Sequence, residues 1–156
     1  TKGTIAGEAA TFFLLANEPS ATDYAKLDGL HTFYKPDGTD EIEKQINSFL
    51  EKQHISIDDI DLIITGKNGD SGEDEVYELL SKTIFAGKEN INYKYLCGEY
   101  PTAAAFAMWL GATIVKSGRV PETVGFTDSP EKKIKKVLVY NHYQGVHHSL
   151  TLLSAC

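Results

Sequence analysis

Cysteine, basic residues and long apolar runs are scarce in this sequence of 156 residues, and each shortage excludes a class of protein. Two cysteines, Cys97 and Cys156, are too few for a disulfide framework, so we expect a reducing compartment, the cytoplasm. The 15 Lys and Arg residues against 22 Asp and Glu residues give a net charge of −7, which argues against a nucleic-acid or anionic-membrane partner. The apolar run after Thr102 includes Gly111 and is too short to span a membrane.

The start of the sequence has neither an initiator Met nor a charged segment followed by an apolar one, as a secretory signal would require. The chain instead enters the run GTIAGEAATFFLLAN, which predicts a strand over 4–16 with a buried apolar end. Because proteins rarely begin inside their core, we expect Thr1 to be an internal boundary. The length and a hydrophobic content of 42% predict a single domain over 1–156.

Apolar spacing predicts strands and helices that largely alternate along the chain. The predicted strands cover 4–16, 24–34, 60–65, 91–95, 136–141 and 147–153, and the predicted helices cover 40–53, 74–85 and the segment from Pro101 to Gly118. Alternation of this kind is typical of an α/β protein with a mixed, mainly parallel sheet covered by helices. Gln144-Gly145 is predicted to be the turn of a closing antiparallel strand pair.

The ends of the helices are predicted from capping residues. Asp40 followed by Glu43 resembles a capping box, and Ser71 is expected to cap the second helix. The third helix carries no charge before Lys116 and is therefore expected to be buried on every side, with Pro101 in its first turn and Gly118 at its end.

Three polar residues, Lys94, Cys97 and Glu99, stand just before the third helix. Helix starts present free N–H groups and a positive dipole end, so we expect any chemistry to be located there.

Five short segments occur in an order found in one enzyme family. They are Gly7-Glu8-Ala9-Ala10, Asp58 to Asp74, Lys94 to Ala105, Val120-Pro121-Glu122-Thr123 and Tyr143-Gln144-Gly145. In this order they resemble the GEGA motif, the loop around HGTGT, the K-x-x-x-G-H-x-x-G-A-A segment, V-P-P-T and the glycine-rich G-F-G-G turn of β-ketoacyl synthases. The resemblance covers nearly the whole chain and implies the C-terminal half of a layered, thiolase-like fold, whose two similar halves pack together.

The residues that differ from this family bear on function. The family's reaction, a decarboxylating condensation, uses a Cys nucleophile and two His residues that stabilise the oxyanion. In this chain the two His positions fall on Gly66 and Glu99, while Lys94 matches the family's Lys and Met108 replaces the Glu that pairs with it. The nucleophilic Cys belongs to the other half of the fold, which this sequence does not contain.

The resemblance therefore implies a non-condensing partner in fatty acid or polyketide biosynthesis, similar to a chain length factor. It also implies an acyl carrier protein or acyl thioester as partner, a homo- or heterodimer with a synthase-like subunit, and substrate contacts at Gly98, Tyr143 and Gly145. We expect no cofactor and no metal. Two other functions remain open: a divergent acyltransferase with Glu99 as general base and Lys94 as oxyanion donor, or a non-enzymatic interaction module.

Each candidate residue also has a purely structural interpretation. Lys94 and Glu99 form an ion pair in that case, Cys97 is a small core residue, and Tyr143 is a packed aromatic side chain. The three histidines His142, His147 and His148 lack a fourth ligand at a recognisable spacing, and strand alternation places the last two on opposite faces. The lysine run Lys132, Lys133, Lys135 and Lys136 is either a carrier-protein docking surface or a solvated face.

Overall fold

A mixed five-stranded sheet organises the computed structural model, which describes residues 3–124 and 133–156. The strands are β1 (Lys26–Tyr34), β2 (Leu62–Thr65), β3 (Asn90–Asn92), β4 (Lys136–Tyr143) and β5 (His147–Ser154). Their order in the sheet is β1-β5-β4-β2-β3. β2 is parallel to both β3 and β4, whereas β5 is antiparallel to both β4 and β1. The predicted α/β class and the closing antiparallel pair with its turn at Gln144-Gly145 are confirmed.

Within the described ranges, four helices accompany the sheet, together with two short 3-10 turns, Ile57–Asp59 and Glu122–Val124. The helices are α1 (Gly38–Lys52), α2 (Ser71–Lys82), α3 (Lys94–Cys97) and α4 (Ala103–Ser117). α3 is a single turn that lies where the sequence predicted the end of a strand. The predicted helix over 74–85 is displaced by three residues at each end.

Both predicted helix caps are wrong in detail. α1 begins ahead of Asp40, with Asp37 as its N-cap, and no side-chain cap hydrogen bond forms there. In α2 the cap is Asp70 and not Ser71, because the Asp70 carboxylate accepts hydrogen bonds from the Gly72 and Glu73 amides. A carboxylate at this position also complements the positive end of the helix dipole.

Two hydrophobic cores lie on opposite faces of the sheet. Alternate residues of the central strands divide between them: Leu62 and Ile64 of β2 face α4, whereas Ile63 faces α1 and α2. All four residues of β2 are buried, which confirms the prediction of a strand covered on both faces. Gly111 lets α4 approach the sheet closely, since a Cβ at this position would lie 2.9 Å from Leu153 Cδ1.

α4 is buried on one face only, contrary to the expectation of burial on every side. Ala107, Leu110 and Ile114 are enclosed, but Trp109 is 43% exposed on the outer face. The predicted end at Gly118 is confirmed, because Gly118 adopts the left-handed conformation in which glycine is favoured. None of the helices within the described ranges combines the length and the apolar character needed to cross a membrane.

The predicted strand over 4–16 does not form. The only pairing of this segment among the described residues is an isolated bridge between Ala6 and Glu99. Its apolar end is exposed and not buried: Phe12 is 92% and Leu14 is 99% accessible. The sequence pattern indicates an apolar extended segment correctly, but no sheet within the described residues offers it a partner.

Candidate functional site

The candidate site lies at the carboxyl ends of three neighbouring strands. β2 ends at Thr65, which is paired with Asn92 at the end of β3 and with Tyr140 near the end of β4. Polar loops follow each of these strands, so their side chains converge at one edge of the sheet, where ligands bind in open α/β folds.

Lys94 and Glu99 form a buried ion pair at this edge. Lys94 is the first residue of α3, and its side chain is only 3% exposed. Its ammonium Nζ lies 2.5 Å from Glu99 Oε2, and the Glu99 side chain is 19% exposed. Each charge therefore neutralises the other in a site with little water.

The loop after β2 meets this ion pair through Asn68. The side-chain amide Nδ2 of Asn68 donates to Glu99 Oε2 at 3.0 Å and to Glu73 Oε2 at 2.9 Å. Asp74 in turn accepts hydrogen bonds from the backbone amides of Asn68 and Gly69. The glycine loop and the turn before α4 thus belong to one hydrogen-bonded site, as the resemblance of the two motifs implies.

The turn that carries Glu99 is held by a close crossing of two glycines. Gly98 has φ 75°, and a Cβ on it would lie 2.6 Å from Gly7 Cα. Around this crossing the Gly7 amide donates to Glu99 O at 3.1 Å and the Glu99 amide donates to Ile5 O at 2.8 Å. The segment that fails to form a strand therefore still fixes the backbone of Glu99.

The space beside Gly66 is filled by other side chains. Gly66 is buried, and a Cβ on it would lie 2.2 Å from Asn141 Oδ1 and 2.7 Å from the Tyr77 hydroxyl. Asn141 Oδ1 also accepts a hydrogen bond of 2.8 Å from the Tyr93 hydroxyl, and burial raises the pKa of Tyr93 far above its usual range. Neutral phenols and an amide thus occupy the position where the resemblance implies a histidine.

The turn between β4 and β5 lies at the same edge. Gln144 and Gly145 both have positive φ values, 54° and 61°, which define a tight hairpin turn. Tyr143 is 46% exposed, so it is not a packed aromatic residue in the described structure. The Gly145 amide donates to His142 Nδ1 at 3.1 Å.

Comparison with solved structures identifies the architecture. The chain is similar to the ketosynthase ApeO in complex with its chain length factor ApeC from Xenorhabdus doucetiae, with a TM-score of 0.73 and 19% identity over 89% of this chain and 40% of that chain. It is also similar to the ishigamide ketosynthase/chain length factor, with a TM-score of 0.70 and 13% identity over 85% of this chain and 38% of that chain. This chain has a ketosynthase fold. The predicted thiolase-like architecture is therefore confirmed.

A third structure with the ketosynthase fold is a type II PKS acyl-carrier protein in complex with its ketosynthase, AntDE:AntF. The TM-score is 0.67 at 16% identity, over 85% of this chain and 39% of that chain. The present chain thus spans about two fifths of each of these three chains. No model of a protein family matches the sequence, and no curated protein does.

The remaining predicted residues are divided between this site and other surfaces. Cys97 is half-buried in α3, and burial raises the pKa of its thiol, which favours the interpretation as a small core residue. Met108 packs against the core that contains α4. Since the acid expected nine residues after Glu99 is absent, Glu99 itself is the carboxylate that pairs with Lys94.

The lysine run lies away from the ion pair. Lys136 begins β4, whereas the candidate site follows the end of that strand, so the two are at opposite edges of the sheet. A shallow pocket of 390 Å³ is lined by Lys133, Lys135, Lys136, Asp59 and Asp61, which mixes both signs of charge. Lys132 lies outside the described residues.

The histidines behave as strand alternation predicts. His148 is buried and His147 is exposed, on opposite faces of β5. Burial lowers the pKa of His148 and lowers that of His142 to about 4. Within 3–124 and 133–156, no group of three His, Cys, Asp or Glu side chains is arranged to hold a metal ion.

Sequence reasoning did not assign three residues to the site that help to build it: Asn68, Asn141 and the buried His142. Asn68 gave a weak signal, because it lies in a glycine loop directly after a buried strand. Asn141 and His142 gave none, since their hydrogen-bond partners Tyr93, Tyr77 and Glu73 are 48, 65 and 69 residues away in the sequence.

Proposed function

We propose that this chain is part of a non-condensing, ketosynthase-like subunit of fatty acid or polyketide biosynthesis, comparable to a chain length factor. One observation carries the proposal. Where the resemblance implies two catalytic histidines, position 66 has no space for a side chain and position 99 holds a carboxylate in an ion pair.

The chemistry at these two positions has the wrong polarity for condensation. Stabilising an oxyanion requires donors aimed at the developing negative charge. An ionised carboxylate is an acceptor only, so Glu99 would repel that charge. At position 66 a histidine would collide with Asn141 and Tyr77, whose side-chain oxygens would lie 2.2 Å and 2.7 Å from its Cβ.

The acyl contacts that we propose are Gly98, Tyr143 and Gly145. Gly98 lies in the turn beside the Lys94–Glu99 pair, and the exposed Tyr143 side chain and Gly145 lie in the turn after β4. All of them are at the edge of the sheet where the strands end, which is the usual position of a ligand in such folds.

We further propose that a second thiolase-like half covers the apolar surface of this chain, either in the same polypeptide or in a synthase-like partner subunit. Phe12, Leu14 and Leu15 are 71% or more exposed, and Trp109 on α4 is also accessible. Apolar surface of this kind marks an interface. The proposal is supported by the length of the three matched chains described above, of which this one spans 38–40%.

A condensation assay on the full-length protein tests the proposed function. We expect that the protein alone, supplied with acyl- and malonyl-loaded acyl carrier protein, releases no carbon dioxide and forms no ketoacyl product. An active ketosynthase serves as the positive control for both substrates. A binding measurement with the acyl-loaded carrier protein is expected to show association.

Two outcomes would contradict this proposal. Elongation by the protein alone, abolished in Glu99→Gln, would support a divergent acyltransferase in which Glu99 is the base and Lys94 the donor. Absence of both turnover and binding of any acyl thioester would favour a non-enzymatic interaction module. A cytoplasmic location stays part of the proposal, because it rests on the two free cysteines.

A further inference from the structure

We propose that His142 is a positioning residue of the candidate site, which fixes the turn at 143–145 to helix α2 and, through α2, to the Lys94–Glu99 pair. This inference deepens the proposed function, since it rests on that turn being part of the acyl-binding site. It depends on a set of hydrogen bonds whose donors and acceptors are fully determined.

The two ring nitrogens of His142 have different and unambiguous roles. The Gly145 backbone N–H donates to Nδ1 at 3.1 Å, and Nε2 lies 2.9 Å from the carbonyl oxygen of Glu73. A backbone amide can only donate and a carbonyl oxygen can only accept. His142 is therefore neutral with its proton on Nε2, and a single ring links the turn to the first turn of α2.

α2 holds the His142 residue at two points. Glu73 and Tyr77 are four residues apart, so they lie on the same face of the helix. The Tyr77 ring stacks on the His142 ring with centroids 4.7 Å apart, and the Tyr77 hydroxyl accepts the backbone N–H of His142 at 3.1 Å. His142 is only 2% exposed, so its ring orientation is fixed by packing as well as by hydrogen bonds.

From Glu73 the connection continues to the ion pair. Asn68 Nδ2 donates to the carboxylate of Glu73 at 2.9 Å and to that of Glu99 at 3.0 Å, and Lys94 Nζ lies 2.5 Å from the same Glu99 oxygen. A continuous set of polar contacts thus runs from Gly145 to Lys94, and His142 is the member that joins the turn to it.

The turn requires such support because of its backbone conformation. Gln144 has a φ of 54°, which is uncommon for a residue with a side chain. The hydrogen bond from Gly145 to His142 spans this residue and opposes the strain. The Val146 amide also closes the turn by donating to Tyr143 O at 3.1 Å, so the contribution of His142 is the link between the turn and α2.

Variants of His142 separate its two hydrogen bonds. In His142→Asn the short side chain can still accept a hydrogen bond from the Gly145 amide. In His142→Gln the longer side chain can still donate a hydrogen bond to the Glu73 carbonyl. His142→Leu removes both bonds. His147→Leu is the matched control, because His147 is the exposed histidine across the same hairpin.

The experiment is NMR on the full-length protein near pH 7. The ring nitrogen signals of His142 are expected to be those of the neutral Nε2–H tautomer. Loss of one hydrogen bond is expected to speed the amide exchange of Gly145 by about 10-fold in His142→Leu and His142→Gln, with near wild-type exchange in His142→Asn. The side-chain amide signals of Asn68 should shift in His142→Leu and His142→Asn and stay unchanged in His147→Leu.

A His142 ring that is protonated, or that carries its proton on Nδ1, would overturn the inference without any variant. Equal Gly145 exchange in wild type, His142→Asn and His142→Gln would do the same. Should His142→Leu fail to fold, two measurements still test the inference. They are the tautomer of the wild-type ring and the difference in Gly145 exchange between His142→Asn and His142→Gln. Failure of the wild-type protein to bind octanoyl-pantetheine would count against the proposed function alone, because the ring and amide signals report the link independently.

Discussion

Gly66 is the residue at which the smallest change should have the clearest effect. A Cβ at this position would lie 2.2 Å from Asn141 Oδ1 in a buried site. We expect Gly66→Ala to lower the free energy of unfolding by about 1–3 kcal/mol, as overpacked core substitutions do. Urea unfolding followed by circular dichroism measures this change.

Gly72→Ala is the matched control for this prediction. Gly72 lies in the first turn of α2, and its Cβ would meet only Asp70 Oδ1 at 3.4 Å. Alanine is favoured over glycine in a helix by up to about 1 kcal/mol, so this variant should be neutral or more stable. Equal stability of the two variants would show that Asn141 moves away at no cost.

Disruption of the Lys94–Glu99 pair should also lower the stability of the protein by a measurable amount. Glu99→Gln leaves the ammonium of Lys94 buried without a counter-charge. We expect a loss of about 2–3 kcal/mol of stability, below the 3–5 kcal/mol of a fully buried pair because Glu99 keeps some contact with water. Thermal or urea unfolding at pH 7 measures it.

An ion pair whose carboxylate is exposed provides the control, although its Lys88 side chain is only 18% exposed. Asp58 lies 3.7 Å from Lys88 and its side chain is 92% exposed, so Asp58→Asn should change stability by less than about 0.5 kcal/mol. In the double variant Lys94→Met with Glu99→Gln the loss should be smaller than in Glu99→Gln, since no buried charge remains. A larger loss in the double variant would contradict the ion-pair interpretation.

Among single residues, the sequence predicted those that belong to motifs and missed those defined by distant contacts. Lys94 and Glu99 are five positions apart at a turn, so their contact follows from local sequence. Asn68 reaches Glu99 across 31 positions, and only the parallel pairing of β2 with β3 brings them together. No local pattern encodes such a pairing, so the contact of Asn68 with Glu99 could not be predicted.

At the scale of elements, the central strands and the hairpin were predictable, but the exposure of the 4–16 segment and of one face of α4 was not. The apolar runs at 60–65 and 136–141 are strands because their side chains fill both cores. The run at 4–16 has a similar composition and forms no strand. The hydrophobic pattern of a segment indicates how much stability its burial would give. Whether a neighbouring strand is available to pair with it depends on the tertiary structure.

The crossing of Gly7 with Gly98 leads to an element-scale prediction. Alanine at 98 has to adopt φ 75° and also collides with the backbone of residues 6–7, so Gly98→Ala should detach this segment from the turn. We expect faster hydrogen exchange at the Gly7 and Glu99 amides and a stability loss exceeding the ~1–2 kcal/mol due to the backbone conformation alone.

Gly87→Ala isolates the conformational part of that loss. Gly87 has φ 73°, and nothing lies within 4 Å of its added Cβ. The variant should therefore show only the conformational cost and leave the exchange of the Gly7 amide unchanged. If both variants lose the same stability, the crossing does not hold the segment.

For the whole molecule, the exposed apolar segment predicts association. Phe12 and Leu14 are almost fully accessible, and we expect sedimentation to show the protein as a dimer or in complex with its other half. Replacing both residues by Ser should weaken association by about 10-fold or more, as for two apolar contacts of ~1 kcal/mol each. Leu30→Ser, on a 62% exposed side chain of β1, is the control. A stable lone monomer of the wild type would contradict the prediction.

The overall stability should also depend on pH through a buried histidine. Burial holds the pKa of His142 at about 4, below the value near 6.5 of an exposed histidine. His148 and Lys94 lower this pKa further, whereas the contact with the Glu73 carbonyl and the charge of Asp74 oppose the shift. The unfolded chain therefore binds more protons between these two values, and stability should be constant above pH 6.5 and fall as pH decreases towards 4.

The expected contribution of His142 over this interval is about 3 kcal/mol, and His148, whose pKa is also lowered by burial, adds to the loss. Unfolding free energies measured at pH 7.5, 5.5 and 4.5 test it, and His142→Asn should reduce the slope and leave the smaller part that is due to His148. His147→Asn should leave the slope unchanged, because His147 is exposed. A wild-type stability that rises on acidification would contradict the assignment of a buried neutral ring.

The packing of Asn141 against Gly66 also restricts the order in which mutations can accumulate. A side chain as large as histidine at 66 requires that position 141 first become smaller, and that first step removes the acceptor of the Tyr93 hydroxyl. Introduction of histidine at 66 by single substitutions thus passes through a less stable intermediate that gains nothing in return. Selection for stability would therefore preserve glycine at position 66.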